Sequence, residues 1–346
     1  MSENTIKVLS AGSAILDILV NVDEAFITGI DGDKGGMELV DSAAIDAMIS
    51  QAGSETVKAA GGSAANTING LAKLGMATSL LGKIGKDADG DFYKSSYEKN
   101  GGDSSNFRFA DVYTGRCLSL VTPDSERTMR TDLGAAMTMS PADWDVTAFK
   151  GCTHVHIEGY MLFNKPMTDH VVAMAKEAGC TISLDLASFE VVNVVKDMLP
   201  TLLTEYVDIV FANEDEAKAF TGHTDPVKAL GALAEFCKTA VVKVGKDGAF
   251  LHDDGLTVKV WANAVEAIDT TGAGDLWQAG FLFGFLQNKT LATCGEYGSV
   301  LGAEVVQVMG AAIPEDRWDV IVDDFKKIDA EQDLLGKINY KTLTTN

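Results

Sequence analysis

The chain has 346 residues, 46% of them apolar and 23% charged, enough for one large α/β domain or two small ones with a buried core. Aspartate and glutamate outnumber lysine and arginine 50 to 28, and a net charge of -22 repels nucleic acid and anionic membrane, which excludes both as expected partners. No run of about 18 apolar residues could span a bilayer. The N-terminus lacks the basic start of a secretory leader, and five scattered cysteines with no C-x-x-C pair read as reduced thiols, so a cytoplasmic protein is expected.

In chain order, IKVLSAGSAILDILVNV (6–22) predicts a strand with a bend or a pair of strands. Residues 18–40 are rich in glycine and aspartate. GGSAANTINGLAKLG (61–75) predicts a glycine turn and then a helix closed by Gly75. ATSLLGKIG (77–85) predicts a strand, and DADGDFYKSSYEKNG (87–101) a helix stopped by Gly101 and Gly102. Residues 106–133 read as consecutive strands joined by turn chemistry at Pro123-Asp124-Ser125, a small antiparallel sheet without helices between its strands. From THVHIEG (153–159) onward strands and helices alternate: PMTDHVVAMAKEAG, TISLDLA, YVDIVFAN, EDEAKAFTG, PVKALGALAEFCK, and the strand–turn–strand AVVKVGKDGAFL. That rhythm predicts an α/β fold, with a mostly parallel sheet covered by helices on both faces. GAEVVQVMGAAIP (302–314) reads as a helix ending at Gly310. The expected domain is 1–330, with lid segments at 18–40 and 106–133, followed by a polar tail, 331–346.

The chemistry concentrates in AIDTTGAGDLWQAGFLFGFL (267–286). A backbone that turns through Thr271-Gly272-Ala273-Gly274 into a helix aims free amides outward, where the helix dipole adds partial positive charge. Asp275 in the first turn suits acceptance of a proton from a hydroxyl attacking a phosphate bound there. Read alone, the same residues also fit an aspartate after a glycine turn. NEDEA (213–217) offers Asn213 and Glu216 either as a capping box or as oxygen ligands for Mg2+. No G-x-x-x-x-G-K-[ST] is present, Trp277 stands where a dinucleotide fingerprint needs its third glycine, and no G-x-S-x-G occurs. HVHIE puts His154, His156 and Glu158 on one strand face, either as half-buried strand residues or as a metal site.

DTTGAGD (269–275) resembles the C-terminal signature of the ribokinase-like carbohydrate and nucleoside kinases, the PfkB family. AAGGSAANTINGLAKLG (59–75) is similar to that family's glycine pair, substrate asparagine and helix. GSAILDILV (12–20) is similar to its first strand, with an aspartate at its end. The resemblance spans roughly residues 6–320 and implies a ribokinase-like fold with a β lid. It further implies Asp275 as base, the Gly272, Ala273 and Gly274 amides as the anion hole, and Asp17, Gly61, Gly62 and Asn66 on substrate hydroxyls. Lys243, Gly245, Gly248 and Thr271 would border ATP, and Asn213 with Glu216 would organise Mg2+. Asp269 and Thr271 resemble residues that hold a monovalent cation such as K+ in some relatives, and Arg130 would add charge from the lid.

Residues 114–136, 158–162, 211–217 and 269–284 resemble most the adenosine kinase branch of that family in bacteria. Phe107, Phe109 and Tyr113, with Cys117, Leu118 and Met129, are candidates for a wall against a purine. The expected acceptor is a nucleoside, adenosine first. The alternatives are a sugar kinase acting on fructose, ribose or 2-keto-3-deoxygluconate, and a non-catalytic nucleoside or sugar sensor. If the exposed face of the lid is apolar, lids of two chains would pair into a homodimer.

Overall fold

The computed structural model describes residues 6–124 and 126–343, with side chains through 332. An eight-stranded sheet forms the centre, in the order Leu256–Val260, Ala249–Asp253, Thr239–Lys243, Ile209–Asn213, Thr181–Asp185, His154–Glu158, Lys7–Ala11, Ala77–Leu81. The last six pair in parallel and the first two are antiparallel. Alternation along each strand sends side chains to two cores. Leu9, Val155, Leu184, Val210 and Val242 face one, beneath helices such as Lys165–Glu177 and Pro226–Ala234. Val8, Leu80, Phe211, Val241 and Leu251 face the other, beneath Ser63–Lys73, Ala273–Phe285 and Leu291–Val305.

The 6–22 segment is a strand pair, Lys7–Ala11 and Ile15–Asn21, and the second strand leaves the large sheet for a small one. Asp17 therefore sits inside the second strand, and not at the end of the first as expected. The small sheet runs Met37–Leu39, Arg127–Gly134, Thr114–Val121, Ile15–Asn21, Thr56–Gly61. Leu16, Ile18, Leu118 and Leu120 pack one of its faces onto Ile27, Ile45 and Met48 of the helices Glu24–Thr28 and Ser42–Ala52. One face of the small sheet is thus covered within the chain.

Two late elements differ from the sequence expectation. The helix in 302–314 ends at Val305, because the following backbone leaves it to bond to another loop: the Ile268 amide donates to the Val306 carbonyl at 2.7 Å. The final helix runs Trp318–Leu343, so most of the polar tail is helical. All five cysteines are free and buried. Among the described residues no helix is long and apolar enough to cross a membrane.

Candidate functional site

Parallel strands end together, and whatever stands last on one face of each is brought to one edge. Glu158 pairs with Asp185 across neighbouring strands, and Asn213 with Lys243. All four are strand-terminal, on the face that carries the helices Ser63–Lys73 and Ala273–Phe285. These residues and the two helix starts line a cavity of about 860 Å3 roofed by the small sheet.

Asp275 stands in the first turn of the helix Ala273–Phe285. Its Oδ1 accepts from Ser63 Oγ at 2.7 Å and its Oδ2 from Asn66 Nδ2 at 2.9 Å, both from the facing helix. Thr67 Oγ1 donates to the Asp275 carbonyl at 3.1 Å. Burial pushes the Asp275 carboxyl above its ordinary range and Asp185 adds to this; the bonds from Asn66 and Ser63 and the Lys243 charge pull it back.

Lys243 Nζ lies 3.3 Å from Asp185 Oδ1. Burial alone would lower this ammonium, but Asp185, Glu216 and Asp275 around it outweigh burial and hold it above the ordinary lysine value. A Cβ on Gly274 would come 3.1 Å from Lys243 Nζ, so the lysine rests against the helix start. Asn213 and Glu216 form a reciprocal cap: Asn213 Oδ1 accepts from the Glu216 amide at 2.9 Å, and Glu216 Oε2 accepts from the Asn213 amide at 2.7 Å. Glu216 is 3% exposed, and burial next to Asp185 raises its carboxyl well above the ordinary range.

The turn before Asp275 is held from behind. Gly272 adopts φ 71°, a left-handed conformation that favours glycine, and a Cβ there would run into Ala311. Asp269 Oδ1 accepts from the Thr271 amide at 2.9 Å and its hydroxyl at 2.6 Å, while Oδ2 accepts from the Gly310 amide at 2.7 Å. The Ala273 amide leans on the Thr270 carbonyl at 3.2 Å; among the described residues those of Gly272 and Gly274 have no backbone partner.

The sequence candidates divide here. Asp17, Gly62, Asn66, Asn213, Glu216, Lys243, Gly245, Gly272, Ala273, Gly274 and Asp275 line the cavity. Gly61, Gly248 and Thr271 do not: Gly61 packs under Asp17, Gly248 turns tightly against Val260 and Trp261, and Thr271 is 1% exposed behind the turn. Asp17 is buried, which raises its carboxyl to about 7; Arg127 opposes that and Asp275 adds to it.

The lid aromatics are a correction. Phe107 is buried against Tyr93 and Tyr97, and neither Phe109 nor Tyr113 lines the cavity. Leu118 faces the helices behind the small sheet. The apolar lining is instead mostly sulfur-bearing: Met37, Leu39, Cys117 and Met129 from the small sheet, together with Met137, Met139, Met161 and Phe163. Arg130 is also corrected. It is 2% exposed and donates to the Asp31 and Met129 carbonyls, away from the cavity. Arg127, odd like Met129 and Thr131, lines it.

His154 and His156 are buried within the sheet. His154 Nε2 and His156 Nδ1 each lie 2.8 Å from Ser183 Oγ, and burial pushes their pKa values down to about 3 and about 4. Glu158 takes the Ser13 amide at 2.6 Å and the Ala64 amide at 3.0 Å, tying both crossings between the sheets, and burial raises it to about 7. Among the described residues no group of three or more histidine, cysteine or acidic side chains could hold a metal ion unaided. Asp185, Ser63 and Arg127 escaped the sequence reading, and Glu158 was read only with the two histidines of its strand; the strand-terminal position of the two acids was the available signal.

Residues 37–318 match the model of the pfkB family carbohydrate kinases. The adenosine kinase of Saccharomyces cerevisiae is 28% identical, over 90% of this chain and 98% of its own. The crystal structure of adenosine kinase from Sinorhizobium meliloti superposes with a TM-score of 0.84 at 31% identity, covering 89% of this chain and 95% of that one. A probable sugar kinase from Rhizobium etli gives 0.82 at 30% identity, covering 89% and 94%. With the match spanning most of its length, this chain belongs to the pfkB family of carbohydrate kinases and is an ATP-dependent kinase.

Proposed function

We propose that the chain transfers the γ-phosphoryl group of ATP to a hydroxymethyl group of a nucleoside, adenosine first. One observation carries this reading: a polar floor of Asp17, Asn66 and Asp275 faces an apolar wall of Met37, Leu39, Met129, Met137 and Phe163. A ribose would bond to the floor and a purine would bury its faces against the wall. A free sugar offers no apolar body to that wall. The adenosine kinases among its relatives support the same choice.

In this mechanism Asp275 takes the proton of the hydroxymethyl group as its oxygen attacks the γ-phosphorus. The bond to the bridging oxygen breaks and ADP leaves. Ser63 and Asn66 fix the carboxylate, and the burial that raises its pKa makes it a stronger base. The Gly272 and Gly274 amides, with Lys243 beside them, meet the charge on the transferring group, and Ala273 contributes once its bond to Thr270 loosens. Gly62 lets the backbone close over the ribose. Gly245, which lines the cavity, would border the nucleotide. Arg127 replaces Arg130 as the cation supplied by the small sheet.

Mg2+ fits the donor chemistry here: Asp185 and Glu216 are oxygen donors whose clustered charge has Lys243 as its nearby cation. Bound through water beside Asn213 and Glu216, the ion would neutralise phosphate charge. Asp269 already holds Thr271 and Gly310, so a monovalent cation next to it would act by stiffening the turn. Turnover in potassium against sodium buffer tests that.

The test is ADP release with MgATP on adenosine, inosine, ribose, fructose and 2-keto-3-deoxygluconate, with Asp275→Asn as control. Turnover on adenosine well above the free sugars is the expected result. Preference for a free sugar overturns the acceptor, and ATP binding without turnover on any of the five favours a sensor.

A further inference from the structure

A second cavity, of about 340 Å3, borders the helix Ser63–Lys73, with Asn66 lining both it and the cleft. Lys58, Lys73 and Lys99 converge on it, and Glu315 is the one carboxylate among its lining residues. In a chain of net charge -22 that local excess of positive charge runs against the global field. Lys73 is held by Glu315 at 2.5 Å, but the lysine side chain is 16% exposed and the glutamate 81%, so the carboxylate can swing into water and leave the ammonium in place. Lys58 pairs with Asp89 at 2.8 Å, and Lys99 has no ion-pair partner among the described residues.

The wall between the lysines is apolar: Phe92, Leu276, Ile313 and Trp318. Two of the lining residues keep a buried polar atom without a partner among the described residues, the acceptor Asn69 Oδ1 and the donor Trp318 Nε1. Trp318 is 8% exposed. Buried donors and acceptors are ordinarily satisfied, so an orphaned pair beside a cavity marks a place where a guest or its waters complete the bonding.

We propose that this cavity binds a small organic anion, a phosphate or carboxylate carried on an apolar or aromatic body, separately from ATP and the acceptor. The lysines take the charge, and the wall takes the body. The binding does not depend on which acceptor the kinase uses.

The test is calorimetric titration of the full chain with phenyl phosphate, without nucleotide, and with benzoate in a parallel arm. Phenyl phosphate is expected to bind at least tenfold more weakly to Lys73→Gln/Lys99→Gln than to the wild type. Lys243→Gln, in the cleft, is expected to leave that affinity unchanged. Benzoate binding with the same dependence assigns the site to carboxylates, and its absence to phosphates. No binding by the wild type to either probe, equal affinity in the double variant, or loss of binding only in Lys243→Gln overturns the proposal. Circular dichroism of each variant confirms that it is folded.

Discussion

Asn66 Nδ2 donates to Asp275 Oδ2 at 2.9 Å, joining the starts of two helices that are 209 residues apart in the chain. With Ser63 on the other oxygen, the carboxylate has one orientation before any substrate arrives. Such fixed geometry is what a base needs, since a small misplacement of reacting groups costs rate heavily. Asp275→Asn keeps the shape and loses the proton acceptor. Its kcat for ADP release is expected to fall about 100- to 10,000-fold, the usual worth of a general base. Calorimetry should show nucleoside affinity within a few-fold of wild type. Near-normal turnover would remove Asp275 from that role.

Ser63→Ala tests the tuning of the same group. The Ser63 bond lowers the Asp275 pKa, so its loss raises it further. A base works deprotonated, so the acid limb of the kcat profile is expected to move to higher pH, with the plateau little changed. Rates measured from pH 5 to 9 read this directly. An unmoved limb would mean that another group controls it.

The two arginines of the small sheet should separate cleanly. Arg127→Ala removes a cavity-lining cation and is expected to lower kcat/KM with little change in folding stability. Arg130→Ala leaves the Asp31 and Met129 carbonyls without their charged donor and opens a void behind the sheet. Bonds to charged groups contribute about 1.5–3 kcal/mol each, so a stability loss of that order is expected for Arg130→Ala. Urea unfolding and steady-state kinetics on both variants check the division, and equal kinetic effects would contradict it.

That pair also shows where sequence reading stops. Alternation says that Arg127, Met129 and Thr131 share one face and Arg130 the other, but not which face meets the ligand. The parallel strands, the capped helices and the glycine turn before Asp275 were legible because each is a local pattern with a local cause. Thr56–Gly61 was not, since TVKAAG pairs with Ile15–Asn21 without an apolar alternation of its own. Phe107 looked like a free lid aromatic because nothing in its neighbours announces Tyr93 and Tyr97. Asp185 and Glu158 acquire meaning only when neighbouring strands align their ends.

Stability without ligands should be highest near pH 4 to 5 and fall toward pH 8. Two opposed sets of buried groups decide this. His154 and His156 have folded pKa values pushed down to about 3 and about 4, so their contribution is present above the ordinary histidine value and lost as pH falls below it. Asp17 and Glu158 are raised to about 7, so their contribution is present below the ordinary carboxyl range and lost as pH rises through about 7. Glu216 is raised by burial beside Asp185 and acts in the same sense. Between about pH 4.5 and 6.5 the two histidines offset two of these three carboxyls, so stability already declines gently. Above that the histidine contribution is complete while the carboxyls still ionise, so stability declines. Differential scanning calorimetry across pH 5 to 9 should show the decline, and Asp17→Asn should flatten it, because asparagine carries no charge to bury. A melting temperature that rises steadily from pH 6 to 8 would mean that these carboxyls ionise freely in the folded cleft.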